Sequence, residues 1–521
     1  MSASRNGLPK RPAADVGETT AEVVEAAPDF LTADPRSHAQ LRRVALATAD
    51  AVAAARLQDQ PFSGADPAQL AAAIATIDPC PDDGVALDEL LAQLRDAVLA
   101  HGVHVSDPRC AAHLHCPTLL TAAAAELAIG VTNQSLDSYD QAPAATLVED
   151  HLVRWLAATL GLSGGSGVLT SGGTASNLLG LLLARERAGA RAAAHGAGVG
   201  GLPPEHVRWR IVASAAAHDS IRRCAAVLGL GTGCVTAVAT DDAGRIDLGA
   251  LDAELAALAS AGLEPIAIVA TAGTTDLGAI DPLAPIAERA RACGAWLHVD
   301  AALGSGLALS PRLAPLLDGI ELADSITADL HKLWFMPIGA SALLVRDVAL
   351  LAAVHHHSDY LNRPEDEVDG VLNLVGRSLD TSRRFDALKI LVGLRSTGRL
   401  RMAAMVERLV ALAAGAARAV DAHDELELLA EPSTVTVVFR WRPGGGEAPL
   451  PDDLIDAVNV AAQRALLRSG RAIVGRTRLH GRVALKLTFV NPLARESDVG
   501  ELLDLVAEAG RAAARAGVAV R

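Results

Sequence analysis

The sequence predicts an α/β protein with a mostly parallel sheet and helices on both of its faces. Between about residues 110 and 390, short apolar and β-branched runs alternate with longer stretches in which apolar residues recur at helical spacing. This alternation is typical of parallel sheets, because two parallel strands need a crossover connection, usually a helix. The predicted strands are residues 209–214, 265–270, 296–299, 323–327 and 341–346.

The chain is long enough for more than one domain. It has 521 residues, half of them apolar, whereas a domain usually contains about 100 to 200 residues. Residues 1–36 mix Pro, Ala, Glu and Thr without apolar periodicity, which predicts a disordered tail. Residues 37–110 are rich in Ala and Leu at helical spacing, which predicts a helical N-terminal arm.

The remaining chain divides into a large and a small domain. Residues 111–390 carry the predicted parallel sheet. Residues 391–521 combine helical stretches with alternating runs at 434–440 and 483–489, and a final helical run follows at 498–514. This mixture predicts a small α+β domain at the C-terminal end.

Composition excludes several classes of partner. Asp and Glu outnumber Lys and Arg by 61 to 46, the net charge is −15, and no basic block occurs, so we expect neither nucleic acid nor an anionic membrane as a partner. No apolar stretch reaches the roughly 18 residues of a membrane span. Six cysteines without a C-x-x-C pair, and a chain start without a leader-like pattern, favour a reduced, cytoplasmic setting.

A glycine-rich segment precedes an apolar helical run. Residues 170–177 read Thr-Ser-Gly-Gly-Thr-Ala-Ser-Asn, and residues 178–184 follow with helical character. The free N–H groups and the dipole of a helix N-terminus attract phosphate. By itself the segment is equally compatible with a plain helix cap, and it matches neither G-x-G-x-x-G nor a Walker A loop.

Lys332 and Asp300 form the most informative pair in the sequence. Each follows or ends an apolar, strand-like run, at 323–331 and 296–300. A pyridoxal phosphate enzyme needs an amine for a Schiff base and a carboxylate that keeps the pyridine nitrogen protonated. A surface lysine and a helix-capping aspartate are the alternative interpretations. The pair therefore predicts pyridoxal 5'-phosphate as cofactor.

Six ordered segments resemble the group II pyridoxal-dependent decarboxylases. The similar region extends from about residue 107 to 510, and residues 113–117, 133–141 and 359–363 most resemble the bacterial branch of diaminobutyrate and siderophore-pathway lysine decarboxylases. The family segments are residues 172–177, 217–220, 271–276, 298–302, 329–332 and 381–389.

This resemblance implies a fold, an activity and an assembly. The fold would be that of fold-type I pyridoxal phosphate enzymes, and the chain would form a homodimer in which the segment 37–102 wraps the partner. The activity would be decarboxylation of an L-amino acid to an amine and CO₂, with a diamino acid such as 2,4-diaminobutyrate or lysine as substrate. Three alternatives stay open: an aromatic-amino-acid or other group II decarboxylase, an aminotransferase or lyase of the same fold, and a catalytically silent relative.

The resemblance also implies residue roles around the cofactor. Lys332 would carry the cofactor, Asp300 would hold its ring nitrogen, and His218 would stack on the ring with Ala302 on the opposite face. Tyr360, 28 residues after Lys332, would protonate Cα after CO₂ has left. A solvated helix cap for His218 and a loop-packing role for Tyr360 are the alternatives. The further cofactor contacts would be Gly173, Thr174, Thr275 and His331.

Other residues carry weaker expectations. Asp137 and Asp140 are candidates for binding a distal ammonium group, although both are equally compatible with surface turns. Arg383 resembles a family arginine near the cofactor, and an ordinary ion pair at a helix start is the alternative. Asp329 stands where some relatives have an asparagine that touches phosphate, and its charge would repel that group. Leu303 stands where many relatives have a tyrosine, and this difference is what keeps the catalytically silent relative as an alternative.

The run of three histidines at 355–357 gives no metal site in our interpretation. Three adjacent side chains of regular structure cannot all face one ion. We expect a solvated loop there, and no metal in the protein.

Overall fold

The structure is a computed structural model that describes residues 30–55, 60–193, 196–355, 358, 361–445 and 450–517. The predicted tail therefore lies largely outside the described residues. The chain divides into two compact units, one formed by residues 1–57 and 72–100 and the other by residues 58–71 and 101–521.

The first unit is helical. Helix α1 (Pro35–Ala55) begins with proline at its first position, where the missing N–H costs nothing. A short helix, α2 (Pro67–Ala75), comes next in the sequence. Helix α3 (Leu87–Ala97) has Asp88 and Glu89 in its first turn and Arg95 in its last, which suits the helix dipole. Helices α1 and α3 pack against each other.

A seven-stranded sheet forms the centre of the second unit. Its strand order is β2-β8-β7-β6-β5-β3-β4, and every neighbouring pair from β4 to β7 is parallel, whereas β8 runs antiparallel to both β7 and β2. The predicted mostly parallel sheet is confirmed. Its strands are β2 (Ser166–Thr170), β3 (Trp209–Ser214), β4 (Val235–Val238), β5 (Glu264–Thr271), β6 (Trp296–Asp300), β7 (Ser325–Asp329) and β8 (Ser341–Val345).

Register aligns the carboxyl ends of three central strands. Thr271 pairs with Asp300, and Asp300 pairs with Thr327. Parallel strands end at the same edge of a sheet, where ligands of open α/β folds bind. The side chains that follow β5, β6 and β7 therefore meet at one edge.

Helices cover both faces of this sheet, and an apolar core lies on each side. Fully buried leucines such as Leu156 and Leu181 fill these cores, each contributing about 1.5 to 3 kcal/mol. The helices of this region are α4 (Leu120–Thr132), α5 (Pro143–Thr159), α6 (Gly173–Ala193), α7 (Ala197–Gly200), α8 (Ser220–Val227), α9 (Leu248–Ser260), α10 (Leu283–Cys293) and α11 (Pro364–Val368).

A second, five-stranded sheet has the order β1-β11-β12-β10-β9. Its edge strand β1 comes from residues far upstream of the predicted small domain and pairs in parallel with β11, whereas the other pairs are antiparallel. The strands are β1 (Cys110–Ala111), β9 (Leu426–Ala430), β10 (Thr436–Trp441), β11 (Ile473–Leu479) and β12 (Arg482–Thr488).

Two consecutive helices occupy residues 387–397 and 399–421. Gly398 adopts a φ of 77° between them, in the left-handed region that glycine reaches without a steric penalty. The remaining helices are α12 (Ala387–Thr397), α13 (Arg399–Asp421), α14 (Asp452–Arg468) and α15 (Glu496–Arg515). In the part of the chain that the structure describes, none of the helices has the length and apolar character needed to cross a membrane.

Candidate active site

A cavity of about 440 Å³ lies at the carboxyl edge of the large sheet. It brings together all eight described residues for which the sequence predicted contact with the cofactor. They are Gly173, Thr174, His218, Thr275, Asp300, Ala302, His331 and Lys332.

The glycine-rich segment forms one wall of the cavity. Helix α6 begins at Gly173, and the N–H of Ala175 donates to the carbonyl of Gly172 at 2.9 Å. The N–H groups of Gly173 and Thr174 are the ones in the first turn that have no acceptor within the helix. A Cβ atom at residue 173 would lie 2.9 Å from Oδ2 of Asp329, which leaves no room for a larger residue. The close approach of β7 thus requires glycine and holds the helix N-terminus against the cavity.

Asp300 ends β6 and is almost fully buried. Its Oδ1 accepts a hydrogen bond from the N–H of Ala302 at 3.1 Å, and its Oδ2 accepts one from Nδ2 of Asn177 at 2.9 Å. A buried carboxylate left without such partners would cost several kcal/mol. These two bonds fix the carboxylate at the cavity wall.

Asn177 is a site residue that the sequence analysis quoted without giving it a role. It lies four residues after Gly173 on α6, and side chains four apart share a helix face. That spacing could have placed it beside the glycine-rich turn. Its bond to Asp300, however, depends on how α6 packs on β6.

Lys332 follows β7 and forms an ion pair with Asp329, with Nζ 3.0 Å from Oδ2. The Lys332 side chain is one-fifth exposed, whereas Asp329 is 3% exposed. The other carboxylate oxygen, Oδ1, is buried and has no hydrogen-bond partner among the described residues. Asp329 therefore belongs to the cavity as the partner of the lysine.

Two histidines in the cavity have one ring nitrogen held by the protein. Nδ1 of His218 accepts a hydrogen bond from the N–H of Ser220 at 3.2 Å. Nδ1 of His331 donates to the carbonyl of Ala340 at 2.8 Å, and its Nε2 lies 3.7 Å from Asp329. Each histidine thus has a defined hydrogen position on its ring in the neutral form.

Two more histidines lie near the cavity, on either side of Leu114, which lines it. Burial lowers the pKa of His113, and the charge of Lys486 lowers it further. Burial also lowers the pKa of His115, with smaller effects from the charges of His113 and His331. The environment of these two imidazoles therefore favours their neutral form.

The structure does not bring the three candidate substrate residues to the cavity lining. Asp137 accepts hydrogen bonds from Ser135 and Ser382, and Asp140 accepts one from Ser138. Both carboxylates are thus engaged locally by serine hydroxyls.

Arg383 also lies outside this cavity and forms a buried ion pair with Glu149 at 2.7 Å. It lines a neighbouring cavity of about 260 Å³, which shares Ser171 with the first. Glu149 lies within helix α5, so this ion pair joins the segment before α12 to a helix that is distant in the sequence.

Three histidine and tyrosine residues singled out in the sequence, Tyr360, His356 and His357, lie outside the described residues. Leu303 is buried, and its side chain packs against Gly273, which lines the cavity with a φ of 104°. Leucine at this position therefore supports the cavity wall from behind.

The cavity fits pyridoxal phosphate by the chemistry of its donors. A helix N-terminus offers N–H groups to a phosphate, Asp300 offers a buried carboxylate to a ring nitrogen, and Lys332 offers an amine to an aldehyde. A volume of about 440 Å³ is in the range of small-molecule sites.

Comparison with known proteins agrees with this chemistry. Residues 71–442 match the sequence profile of the family described as "Pyridoxal-dependent decarboxylase conserved domain". The chain is 42% identical to an L-2,4-diaminobutyrate decarboxylase of Rhizobium meliloti (strain 1021), over 86% of this chain and 87% of that protein. It is 39% identical to an L-2,4-diaminobutyrate decarboxylase of Acinetobacter baumannii, over 82% and 85% of the two chains.

Solved structures show the same similarity. The glutamate decarboxylase domain of diaminobutyrate-pyruvate transaminase and L-2,4-diaminobutyrate decarboxylase from Vibrio parahaemolyticus superimposes with a TM-score of 0.85 at 35% identity. The match covers 93% of this chain and 98% of that chain.

Proposed function

The chain belongs to the pyridoxal-dependent decarboxylase family, and from this premise we propose that it decarboxylates a small diamino acid, L-2,4-diaminobutyrate first. The family resemblance expected from the sequence is confirmed, and with it the fold-type I architecture. The protein is a pyridoxal phosphate-dependent lyase of amino acids. Similarity to two diaminobutyrate decarboxylases supports the substrate class.

One observation carries the proposal: Lys332, Asp300 and the N-terminus of α6 line a single cavity. When bound, the cofactor supplies an aldehyde that joins the substrate amine and a protonated ring that accepts the electrons released with CO₂. Asp300 would hold the proton on the ring nitrogen, and the N–H groups at Gly173 and Thr174 would bind the phosphate. Lys332 would supply the amine that holds the aldehyde of the cofactor.

His218 and Ala302 are proposed to hold the ring between them, with Thr275 and His331 as further contacts. All four residues line the cavity, which supports this assignment. His218 is exposed and lines the cavity, so its ring is accessible to a ligand bound there. The proposed role of His218 is therefore to pack on the ring and orient the carboxylate that leaves.

Tyr360 is proposed as the acid that delivers a proton to Cα after CO₂ has left. The support is its position, 28 residues after Lys332 in a segment that resembles the family. A general acid at this step directs the reaction to the amine and away from transamination.

For the distal ammonium group we keep Asp137 and Asp140 as candidate partners, with Arg383 near the cofactor. Their support is the resemblance of residues 133–141 and 381–389 to the family. A homodimer with sites at the subunit boundary would let these residues act on the partner's cavity. We also propose a cytoplasmic location, supported by six cysteines that are all free.

The substrate assay tests this proposal directly. Purified protein with pyridoxal phosphate is given L-2,4-diaminobutyrate, lysine, ornithine, tyrosine, tryptophan, glutamate or aspartate, and both CO₂ and amine are measured. Release from L-2,4-diaminobutyrate well above all others is the expected result. Release from an aromatic or acidic amino acid alone would contradict the diamino substrate, and no release from any of them would favour the silent relative.

A further inference from the structure

A network of hydrogen-bonded, buried side chains lies behind the cavity and extends to Asp300 and His218. Its centre is Asn177, which is 1% exposed. The amide nitrogen of Asn177 lies 2.9 Å from Oδ2 of Asp300 and 2.9 Å from Oγ of Ser220. One amide group thus touches the carboxylate and the serine that holds His218.

The orientation of this amide follows from elementary chemistry. An ionised carboxylate only accepts hydrogen bonds, so the NH₂ group of Asn177 must face Asp300. The amide oxygen therefore faces the opposite way, where it accepts from Oγ1 of Thr327 at 2.7 Å and lies 3.0 Å from Nε2 of His298. Because that oxygen cannot donate, Nε2 of His298 carries a hydrogen.

The hydrogen bonds on the far side of His298 require the same orientation of the Asn177 amide. The indole N–H of Trp296 can only donate, and it donates to Oγ of Ser325 at 2.8 Å. Oγ of Ser325 lies 2.7 Å from Nδ1 of His298. With Nε2–H directed at Asn177, a neutral His298 accepts from the serine at Nδ1. Burial lowers the pKa of His298 to about 4, which agrees with a neutral ring.

The orientation of the Asn177 amide also determines the hydrogen bonds that lead to the cavity. Ser220 accepts from Asn177, and its hydroxyl lies 2.8 Å from Nδ1 of His218. The N–H of Ser220 also donates to the same Nδ1. Nδ1 of His218 therefore has no hydrogen of its own, and the neutral ring carries its hydrogen on Nε2.

We propose that Asn177, held by His298 and Thr327, is a positioning residue that sets Asp300 and the tautomer of His218 together. The inference rests on the proposed roles of Asp300 and His218. A single buried amide would then link the carboxylate at the ring nitrogen to the imidazole at the ring face. Ser220 is the second positioning residue, and it acts on His218 alone.

Asn177→Asp tests the link, because the new side chain keeps its shape but cannot donate while ionised. Among the described residues, hydrogen bonds link this position to the titratable groups of Asp300 and His298 and, through Ser220, to His218, and Cys224 lies near enough to be affected by the charge of Asp300. Burial raises the pKa of Cys224 to about 12, and burial lowers the pKa of His298 to about 4, so neither of these two side chains adds a charge at neutral pH. Two ionised carboxylates would then lie within hydrogen-bond distance and repel each other.

The readout is the affinity for pyridoxal phosphate, measured by visible absorbance relative to wild type. We expect the cofactor affinity of Asn177→Asp to be lower than that of wild type by about tenfold or more at about pH 8.5. Near pH 6 most of the affinity should return, because one proton on the carboxylate pair restores a hydrogen-bond donor. A loss of equal size at both pH values, or no loss, would overturn the proposal. The cofactor affinity does not depend on which amino acid is decarboxylated. A negative result would therefore contradict the role of Asn177 without contradicting the proposed substrate.

Asn459→Asp is the matched control. Asn459 is equally buried and hydrogen-bonded, to both backbone groups of Trp441 and to the carbonyl of Ile455, but it lies in the small domain. It should leave the cofactor affinity at wild-type values at both pH values. The same pH-dependent loss in this control would also overturn the proposal.

Ser220→Ala gives a second measurement if Asn177→Asp does not fold. It removes the hydroxyl between Asn177 and His218 and leaves the bond to Asp300 in place. We expect unchanged cofactor affinity and kcat reduced about tenfold, with rescue by Ser220→Thr. Unchanged kcat in Ser220→Ala, or a loss that Ser220→Thr does not rescue, would rule out the positioning role of Ser220.

Discussion

Nζ of Lys332 lies 3.0 Å from Oδ2 of Asp329, and the same oxygen lies 2.9 Å from the position that a Cβ atom on Gly173 would take. A single acidic side chain therefore lies beside both the proposed Schiff-base lysine and the proposed phosphate site. A carboxylate in this position attracts the amine and repels a phosphate dianion.

We predict that Asp329→Asn binds pyridoxal phosphate about three- to tenfold more tightly than wild type, because it removes a charge of the same sign as the phosphate. Titration of the absorbance change with cofactor gives the dissociation constant. Asp276→Asn is the control, since Asp276 pairs with Lys486 and does not line the cavity. Weaker binding by Asp329→Asn would show that its pairing with Lys332 matters more than the repulsion.

Lys332→Ala should lose the visible absorbance of covalently held cofactor and all decarboxylation. The control is Lys389→Met at a fully buried lysine, which pairs with Glu126 and Asp386 and does not line the cavity. Breaking that pair should lower the free energy of unfolding by about 3 kcal/mol and leave the absorbance band. A band that persists in Lys332→Ala, checked by mass spectrometry after reduction, would contradict the assignment of the lysine.

Tyr360→Phe should lower amine output at least about tenfold and increase transamination of the cofactor, since the acid that protonates Cα is missing. The chain has one other tyrosine, Tyr139, and Tyr139→Phe serves as control with unchanged partition between the two products. Amine yield and spent cofactor are quantified in the same reaction. Equal partition in wild type and Tyr360→Phe would eliminate the acid role.

His298 should make the protein less stable in acid. Its pKa is lowered to about 4 by burial, whereas an unfolded imidazole titrates near 6.5. The unfolded chain therefore binds the proton more tightly, so stability is full above about pH 6.5 and falls as the pH drops toward 4.

The measurement is chemical denaturation of wild type and His298→Gln between about pH 7 and pH 4. The glutamine amide can still donate to Asn177 but has no proton to gain. We expect the free energy of unfolding of wild type to decline by about 3 kcal/mol more than that of the variant over this range. If the free energies of unfolding of wild type and His298→Gln changed in parallel with pH, burial would not lower the pKa of His298.

Much of the large sheet could be predicted from local sequence. The strands β3 and β6 have the predicted bounds within one residue, because each is a short apolar run between turns. The meeting of Asp300 and Lys332 also followed, since parallel strands end at one edge. These features depend on periodicity and connection rules alone.

The rest depends on packing between distant segments. Asn177 reaches Asp300 through the seating of α6 on β6, and no local pattern encodes that contact. The charge of Asp329 predicted that this side chain would not bind phosphate. Its ion pair with Lys332 could not be predicted in the same way, because it depends on the turn that follows β7. Asp137 accepts a hydrogen bond from Ser382, and Arg383 forms an ion pair with Glu149. In both pairs the partners lie far apart in the sequence.

The pairing of β1 with β11 gives the protein a fixed order of completion during synthesis. Cys110 pairs with Ile473, so the partner of β1 is made about 360 residues later. The segment just after β1 contributes Leu114 to the cavity. A ribosome releases the chain from its N-terminal end, and a strand has no ladder until its partner exists. The strand that leads to Leu114 therefore gains its partner only when nearly the whole chain has emerged, which makes the pairing of β1 a late step of folding.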